Sequence, residues 1–397
     1  MRRLLVLLLA GLGLGSGPVA AQTLNPAADS VVRPVPGSAS FVGPPDTSAR
    51  PTRLYHERLA GPRRLRGAIG KFPITMELDS ANGSYTGGYY YERWGVWQEA
   101  RFDAGPGPRT VNVCETPAGD ITGQLRLPGK KGGTVRGTWE NADGRRTAPF
   151  TLRETYAKAA RYEQDLWEMW RYNAWRETSQ QPRDSAFFYQ FYLEVKLPQN
   201  PGAERRLRQV LAAPVSAEMM PLYLDTLLRR KQRQDKGYQF HGSTDVVYNG
   251  NNLFSVMRVS SFQQGPDYQP HEWYDGVSFD LRTGRRLKLA DLLVKDYQKR
   301  LLSLFQRSVE RYLAGLPASR AVKAPLPRLP VGGFVLAPAG LVFTLDDRDD
   351  ARLSKAGAGT ADRFLEIVLT YEELLPLIKR SGPLGPVLQE RGLVPKK

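Results

Sequence analysis

The chain has 397 residues, 41% of them hydrophobic, and a formal net charge of +16. That length fits two or three domains. The single cysteine, Cys114, rules out an intramolecular disulfide, and three widely spaced histidines, His56, His241 and His271, assemble no local zinc motif.

Residues 1–21 carry Arg2 and Arg3, an apolar run LLVLLLAGLGLG and the small residues Val19, Ala20 and Ala21 before Gln22. This is the pattern of a Sec signal peptide. The run falls short of the ~20 apolar residues of a membrane span and is broken by glycine, so no transmembrane anchor is expected. No cysteine stands at the cleavage position for lipid attachment, and the expected location is the periplasm or outside the cell. Residues 22–52, rich in Pro, Ala, Ser and Gly, read as a disordered leader.

Over 53–155 short strand-like runs (FPITMEL, SYTGGYYYE, VWQEARF, TVNVCE, ITGQLRL, TVRGTWE, TAPFTLR) alternate with turn signals such as Asn82-Gly83 and Asp143-Gly144. The expectation is an all-β antiparallel meander closing into a small barrel. Cys114 lies in one of these runs and reads as a small apolar packing residue. Residues 156–184 form a connector holding Trp167, Trp170 and Trp175. As a helix it puts Tyr162, Leu166 and Trp170 on one side; as a strand it pairs with FFYQFYLEVKLP, and both readings stay open.

An α+β domain with an antiparallel sheet and packed helices is expected over 185–382. Asn200-Pro201 starts a helix, and a second spans 216–236, ending in the basic run RRKQRQDK, where cations complement the helix dipole. YQFHGSTDVVY and NLFSVMRVSSF flank Asn249-Gly250, read as a type I′ hairpin turn. VSFDL and RRLKL flank a turn with Gly284 in the left-handed position. Asp291 caps a helix whose buried face carries Tyr297, Leu301, Phe305, Val309 and Tyr312, ending at Gly315 before Pro317. GLVFTL and FLEIVLT are two more strands, and Thr370 with Glu373 forms a capping box opening a closing helix, ELLPLIKR. Residues 383–397 read as a flexible tail.

In FDLRTGRRLKLADLL, GLVFTLDD and LEIVLTYEELLPLI, taken in that order and spacing, the chain resembles the C-terminal domain of unknown function shared by RsiV-type anti-sigma factors and PdaC-type peptidoglycan deacetylases. The resemblance covers about 238–380 and extends upstream through FFYQFYLEVKLP. It implies a non-catalytic α+β module and, from the RsiV side, a lysozyme partner. Charge works against lysozyme, since two basic surfaces repel. The deacetylase metal motif is not met: TLDDRDD lacks the following Gly-Pro, and no histidine follows His271. Asp346, Asp347, Asp349 and Asp350 read as a solvated strand end rather than a calcium loop.

No catalytic, cofactor or metal residues are expected. Candidate ligand contacts are aromatic: Tyr89 and Trp94, in a segment that also holds Tyr85, Tyr91 and Trp97, for a barrel mouth or sugar-stacking platform; and Tyr268, His271, Trp273 and Tyr274 in the loop 263–276. The expected protein is an exported, non-catalytic envelope protein binding peptidoglycan or another anionic envelope polymer, with no specific nucleic acid. The alternatives are a polysaccharide hydrolase with Asp275 and Asp280 as acid and base, and a purely structural periplasmic protein.

Overall fold

The structure is a computed structural model describing residues 52–81, 84–102, 109–114, 123–127, 134–172, 185–212, 238–264, 271–314, 328–346, 348–349 and 364–395. Residues 1–51 of the signal-peptide and leader segments, the 216–236 helix, Trp175, Tyr268, Asp347 and Asp350 therefore lie outside the described residues.

The expected combination of an N-terminal β unit and a C-terminal α+β unit is what folds. Eight strands close into an antiparallel up-and-down barrel. They are β2 (Arg63–Ile69), β3 (Phe72–Ala81), β4 (Ser84–Tyr91), β5 (Trp97–Phe102), β6 (Arg109–Cys114), β7 (Gly123–Leu127), β8 (Thr134–Asn141) and β9 (Thr147–Glu154). β9 pairs back onto β2 and so removes both sheet edges. Leu65, Ile74, Met76, Tyr89, Leu125, Phe150 and Leu152 fill its core.

β1 (Thr52–Leu59), inside the span expected to be barrel, joins the other sheet instead. It pairs with β10 (Arg161–Tyr172), which lies in the connector, so over these residues the strand reading holds and the helix reading does not. β10 in turn pairs with β11 (Ser185–Lys196), as the strand alternative required. The seven-stranded sheet continues through β12 (Tyr238–Gly250), β13 (Leu253–Gln264), β14 (His271–Asp280) and β15 (Arg285–Arg286), antiparallel except for β11 against β12.

One face of this sheet, through Phe254, Val256, Val277 and Phe279, packs on α1 (Pro201–Leu211). Asn200 Oδ1 accepts from Ala203 N at 3.2 Å, and its amide donates to Arg282 O at 2.8 Å, so the helix cap also holds the Gly284 turn. The opposite face, through Met257 and Tyr274, meets a three-stranded sheet of β16 (Val335–Leu336), β17 (Gly340–Leu345) and β18 (Leu365–Thr370). Strand alternation sends Leu341, Phe343, Ile367 and Leu369 to that sheet's far side, where they bury Leu301, Phe305 and Val309 of a long helix.

That helix follows a single turn, α2 (Leu289–Leu292), in which Asp291 accepts from Lys288 N; the helix itself, α3, is Tyr297–Ala314. Tyr312 is 40% exposed and not on the buried face. The Thr370 capping box forms as read, but its helix, α4, stops at Leu374, and Ile378 instead bridges to Leu293. The hairpin turn is Asn251-Asn252, both with positive φ, not Asn249-Gly250. Residues read as a flexible tail form α5 (Gly385–Glu390), with Leu384, Val387 and Leu388 fully buried in the core beneath α3.

Asn249 explains the displaced turn. Its side chain, 4% exposed, accepts from Ala160 N and donates to Ala160 O, both at 2.8 Å, while its own carbonyl accepts from Arg64 Nε of the barrel at 2.8 Å. Replacing Asn249 by alanine strands two buried backbone groups and is expected to cost about 2 kcal/mol. Urea unfolding reads this directly, and a loss under about 0.5 kcal/mol would refute the clamp.

Candidate functional site

The barrel carries an exposed aromatic cluster at the β2–β3 hairpin and the turn after β4. Gly70, with φ of 57°, turns the hairpin so that Lys71 and Phe72 emerge at its tip. The turn after β4 brings Trp94 beside them: Trp94 N and Gly95 N both donate to Tyr91 O, at 3.0 and 2.8 Å. The Phe72 and Trp94 ring centroids are 5.7 Å apart, Tyr91 and Trp94 5.0 Å, and Phe72 and Tyr91 6.1 Å. Phe72 is 42% exposed and Trp94 52%, with Val96 beside them also exposed. Lys71 Nζ lies 5.5 Å from the Phe72 ring centre, and Arg93 is exposed in the same turn. Aromatic faces open to water with cations at the rim suit a ring-shaped polar ligand bearing negative charge.

Tyr89 does not share that surface. It points with Tyr91 to the interior side of β4, but Tyr89 is fully buried in the barrel core while Tyr91, at the strand end, is half-buried and reaches Trp94. Tyr90, on the outer side, is buried by the α+β unit, and burial pushes its phenol up to about 12. Phe72 was missed in the sequence, where the available signal was an aromatic directly after the tight Gly70-Lys71 turn, too close to the hairpin tip to be covered.

The second predicted group divides across a sheet. On β14, His271 is exposed and Trp273 half-buried on one face; Tyr274 points to the other, 6% exposed, between the two sheets. There its ring lies 4.4 Å from that of Phe364 and its hydroxyl donates to Glu272 Oε2 at 2.9 Å. Burial, and then the Glu272 carboxylate, push its phenol far above the usual tyrosine range. Tyr274 is therefore a packing residue, and the described members of the group, His271, Trp273 and Tyr274, share no common face.

Asp275 and Asp280 cannot act as paired acid and base. They lie five residues apart on the unbroken strand β14, hence on opposite faces and separated by about 16 Å along it. Flanking one glycosidic bond requires roughly 5–9.5 Å. Asp275 pairs with Arg348 at 2.9 Å, and Asp280 with Arg282 at 2.7 Å. The Arg282 hydrogen bonds hold the Asp280 carboxyl below its ordinary value even though burial opposes this. The three histidines sit on separate strands; His56 stacks on Trp167 at 4.1 Å.

Among the described residues no helix is long and apolar enough to cross a membrane. No family model and no curated protein matches the chain. Two solved structures are similar to it in part. One is a member of the DUF3298 family from Bacteroides fragilis, 13% identical over 54% of this chain and 92% of that one, with a TM-score of 0.37. The other is a DUF3298 family protein from Pseudomonas aeruginosa, 17% identical over 55% of this chain and 94% of that one, with a TM-score of 0.40.

Proposed function

We propose that the chain is an exported, non-catalytic envelope protein that binds cell-wall glycan, peptidoglycan in the first instance, through the Phe72, Tyr91 and Trp94 platform. The observation carrying this reading is the solvent exposure of two large rings, Phe72 and Trp94, fixed against each other at the end of a closed barrel. Exposed rings of this kind lose area to solvent only when a partner covers them, and the apolar faces of sugar rings match them in size and flatness. The signal-peptide pattern of residues 1–21 supports export, and the net charge of +16 favours an anionic polymer. Resemblance to the RsiV- and PdaC-type module supports a non-catalytic role. Lysozyme, the partner that resemblance suggests, is disfavoured by charge.

Sedimentation of the mature protein with insoluble peptidoglycan tests the reading. Wild type is expected to be retained at both low and physiological salt, because stacking is not screened as surface charge is. Trp94→Ala is expected to weaken retention about tenfold, the scale of one lost aromatic contact of ~1.4 kcal/mol. Wild-type retention that vanishes at physiological salt, or an unaffected Trp94→Ala variant, would overturn the platform as the binding site.

A further inference from the structure

We infer that Arg391, just beyond α5, is a positioning residue for the Trp94 platform, so that the chain's C-terminal end sets the geometry of a binding surface on the barrel. The inference rests on the proposed glycan reading and adds the source of the platform's rigidity.

Arg391 is 4% exposed. Its Nη1 donates to Tyr91 O at 3.1 Å and also to Glu92 O, the two carbonyls that open the turn bearing Trp94. The Tyr91 carbonyl is the same one that accepts from Trp94 N and Gly95 N, so three donors, one of them from the other unit, converge on it. The guanidinium also lies 5.4 Å from the ring centre of Tyr90, the residue before that turn.

A second link runs beside it. Glu390 Oε2 accepts from Arg66 Nη2 at 3.1 Å and from Asn251 Nδ2 at 3.0 Å. Arg66 Nε in turn donates to Glu92 Oε1 at 2.7 Å. Glu92 is thereby held through its backbone by Arg391 and through its carboxylate by Arg66, which reaches Glu390.

Gly95 supplies the independent observation. Its φ is 71°, and a Cβ built there would sit 2.5 Å from Pro338 O and 2.7 Å from Arg391 Cζ. The turn is seated directly against the α+β unit, with no room for a methyl group.

Stability alone does not explain Arg391. Among the described residues its Nε and Nη2 are buried without a hydrogen-bond partner, and such atoms carry an uncompensated desolvation cost. An apolar residue of similar length would fill the space without that cost. What it would lose is the pair of hydrogen bonds onto the Trp94 turn.

The test uses the full mature chain labelled with 5-fluorotryptophan, with the Trp94 fluorine signal assigned by its loss in Trp94→Phe and Trp139, partly buried against the barrel core, as an internal control. Arg391→Met is expected to shift or broaden the Trp94 signal, leave that of Trp139 in place, and weaken peptidoglycan binding about tenfold. Arg391→Lys, which keeps one charged donor, should recover part of both effects. Gly95→Ala attacks the same seat from the other side and should reproduce the Met phenotype, which keeps the test intact if the Met variant does not fold. An unchanged Trp94 signal in Arg391→Met and Gly95→Ala overturns the positioning role, whatever happens to binding. A shifted signal with unchanged binding, in a protein whose Trp94→Ala variant does lose binding, overturns it as well. If Trp94→Ala binds normally, the glycan reading falls instead, and the fluorine signals still report whether the seat exists.

Discussion

Asp346→Ala is expected to lower the unfolding free energy by about 3–5 kcal/mol, the cost of breaking a buried ion pair from one side. Read from the sequence, the TLDDRDD segment is a solvated strand end. In the structure Asp346 is completely buried at the end of β17. Its Oδ2 accepts from Tyr274 N at 3.0 Å and from Arg348 Nη2 at 2.6 Å, and its Oδ1 accepts from Arg348 N at 2.9 Å and Nε at 3.0 Å. Arg348 goes on to Asp275 and to Tyr274 O, tying the end of β17 across to β14. Removing the carboxylate leaves Tyr274 N–H unpaired between the sheets and a half-buried guanidinium without its main partner. Arg348 is 30% exposed on its side chain, so water offsets part of the loss and the low end of the range is expected. Urea denaturation of the single variants and of Asp346→Ala/Arg348→Ala checks this. The double variant should lose less than the two singles together. A single-variant loss below about 1 kcal/mol would show that the pair does not join the sheets. Both Asp346 oxygens and the Asp349 carboxylate, which accepts from Val331 N at 2.8 Å, are engaged by protein N–H groups.

Features governed by neighbours in sequence were legible, and those governed by distant partners were not. Asn200, Gly284 and the Thr370 to Glu373 box act within a few residues, and each occurs as read. Asn249-Gly250 has equally good local turn chemistry, yet both residues stay paired at the end of β12, beyond a bulge between Val246 and Tyr248, because Asn249 clamps Ala160 and receives Arg64. The segment from Pro383 reads as a tail because Pro383, Gly385 and Pro386 interrupt any helical period. Only the core under α3 turns Leu384, Val387 and Leu388 into buried residues. The connector was ambiguous for a related reason: Leu166 and Trp170 satisfy both a helical and a two-residue spacing, and the decision rests with β1 and β11 on either side. At the candidate site, the sequence pointed to Trp94 but included Tyr89, since alternation shows which aromatics share a face and not which of them a closed barrel covers. Arg391 lies 300 residues from the Tyr91 carbonyl it holds, with no local signal at all.

Glu366 is expected to contribute a fall in stability as pH rises from about 4.5 to about 7, and Glu366→Gln is expected to abolish that contribution. Glu366 lies on β18 directly opposite Thr344 on β17, on the side of the small sheet that faces Tyr274 and Phe364. Burial alone raises its carboxyl from the ordinary 4.5 to about 7. Among the described residues the nearby polar groups do not favour its ionised form: the Tyr274 hydroxyl donates to Glu272, and Thr344 Oγ1 is buried without a hydrogen-bond partner. The folded chain therefore holds the Glu366 proton where the unfolded chain has lost it. Because the native state binds more protons in that window, each pH increment across it favours unfolding, and the accumulated loss approaches about 3 kcal/mol above pH 7. Below about pH 4.5 both states are protonated and the contribution is flat. Glutamine keeps the shape and cannot ionise, so the variant should match wild type near pH 4.5 and exceed it by about 2–3 kcal/mol at pH 8. Urea titrations at pH 4.5, 6, 7 and 8 decide the matter. Parallel profiles for the two proteins would mean that Glu366 reaches water as a carboxylate in the folded state, and that the two sheets do not close over it.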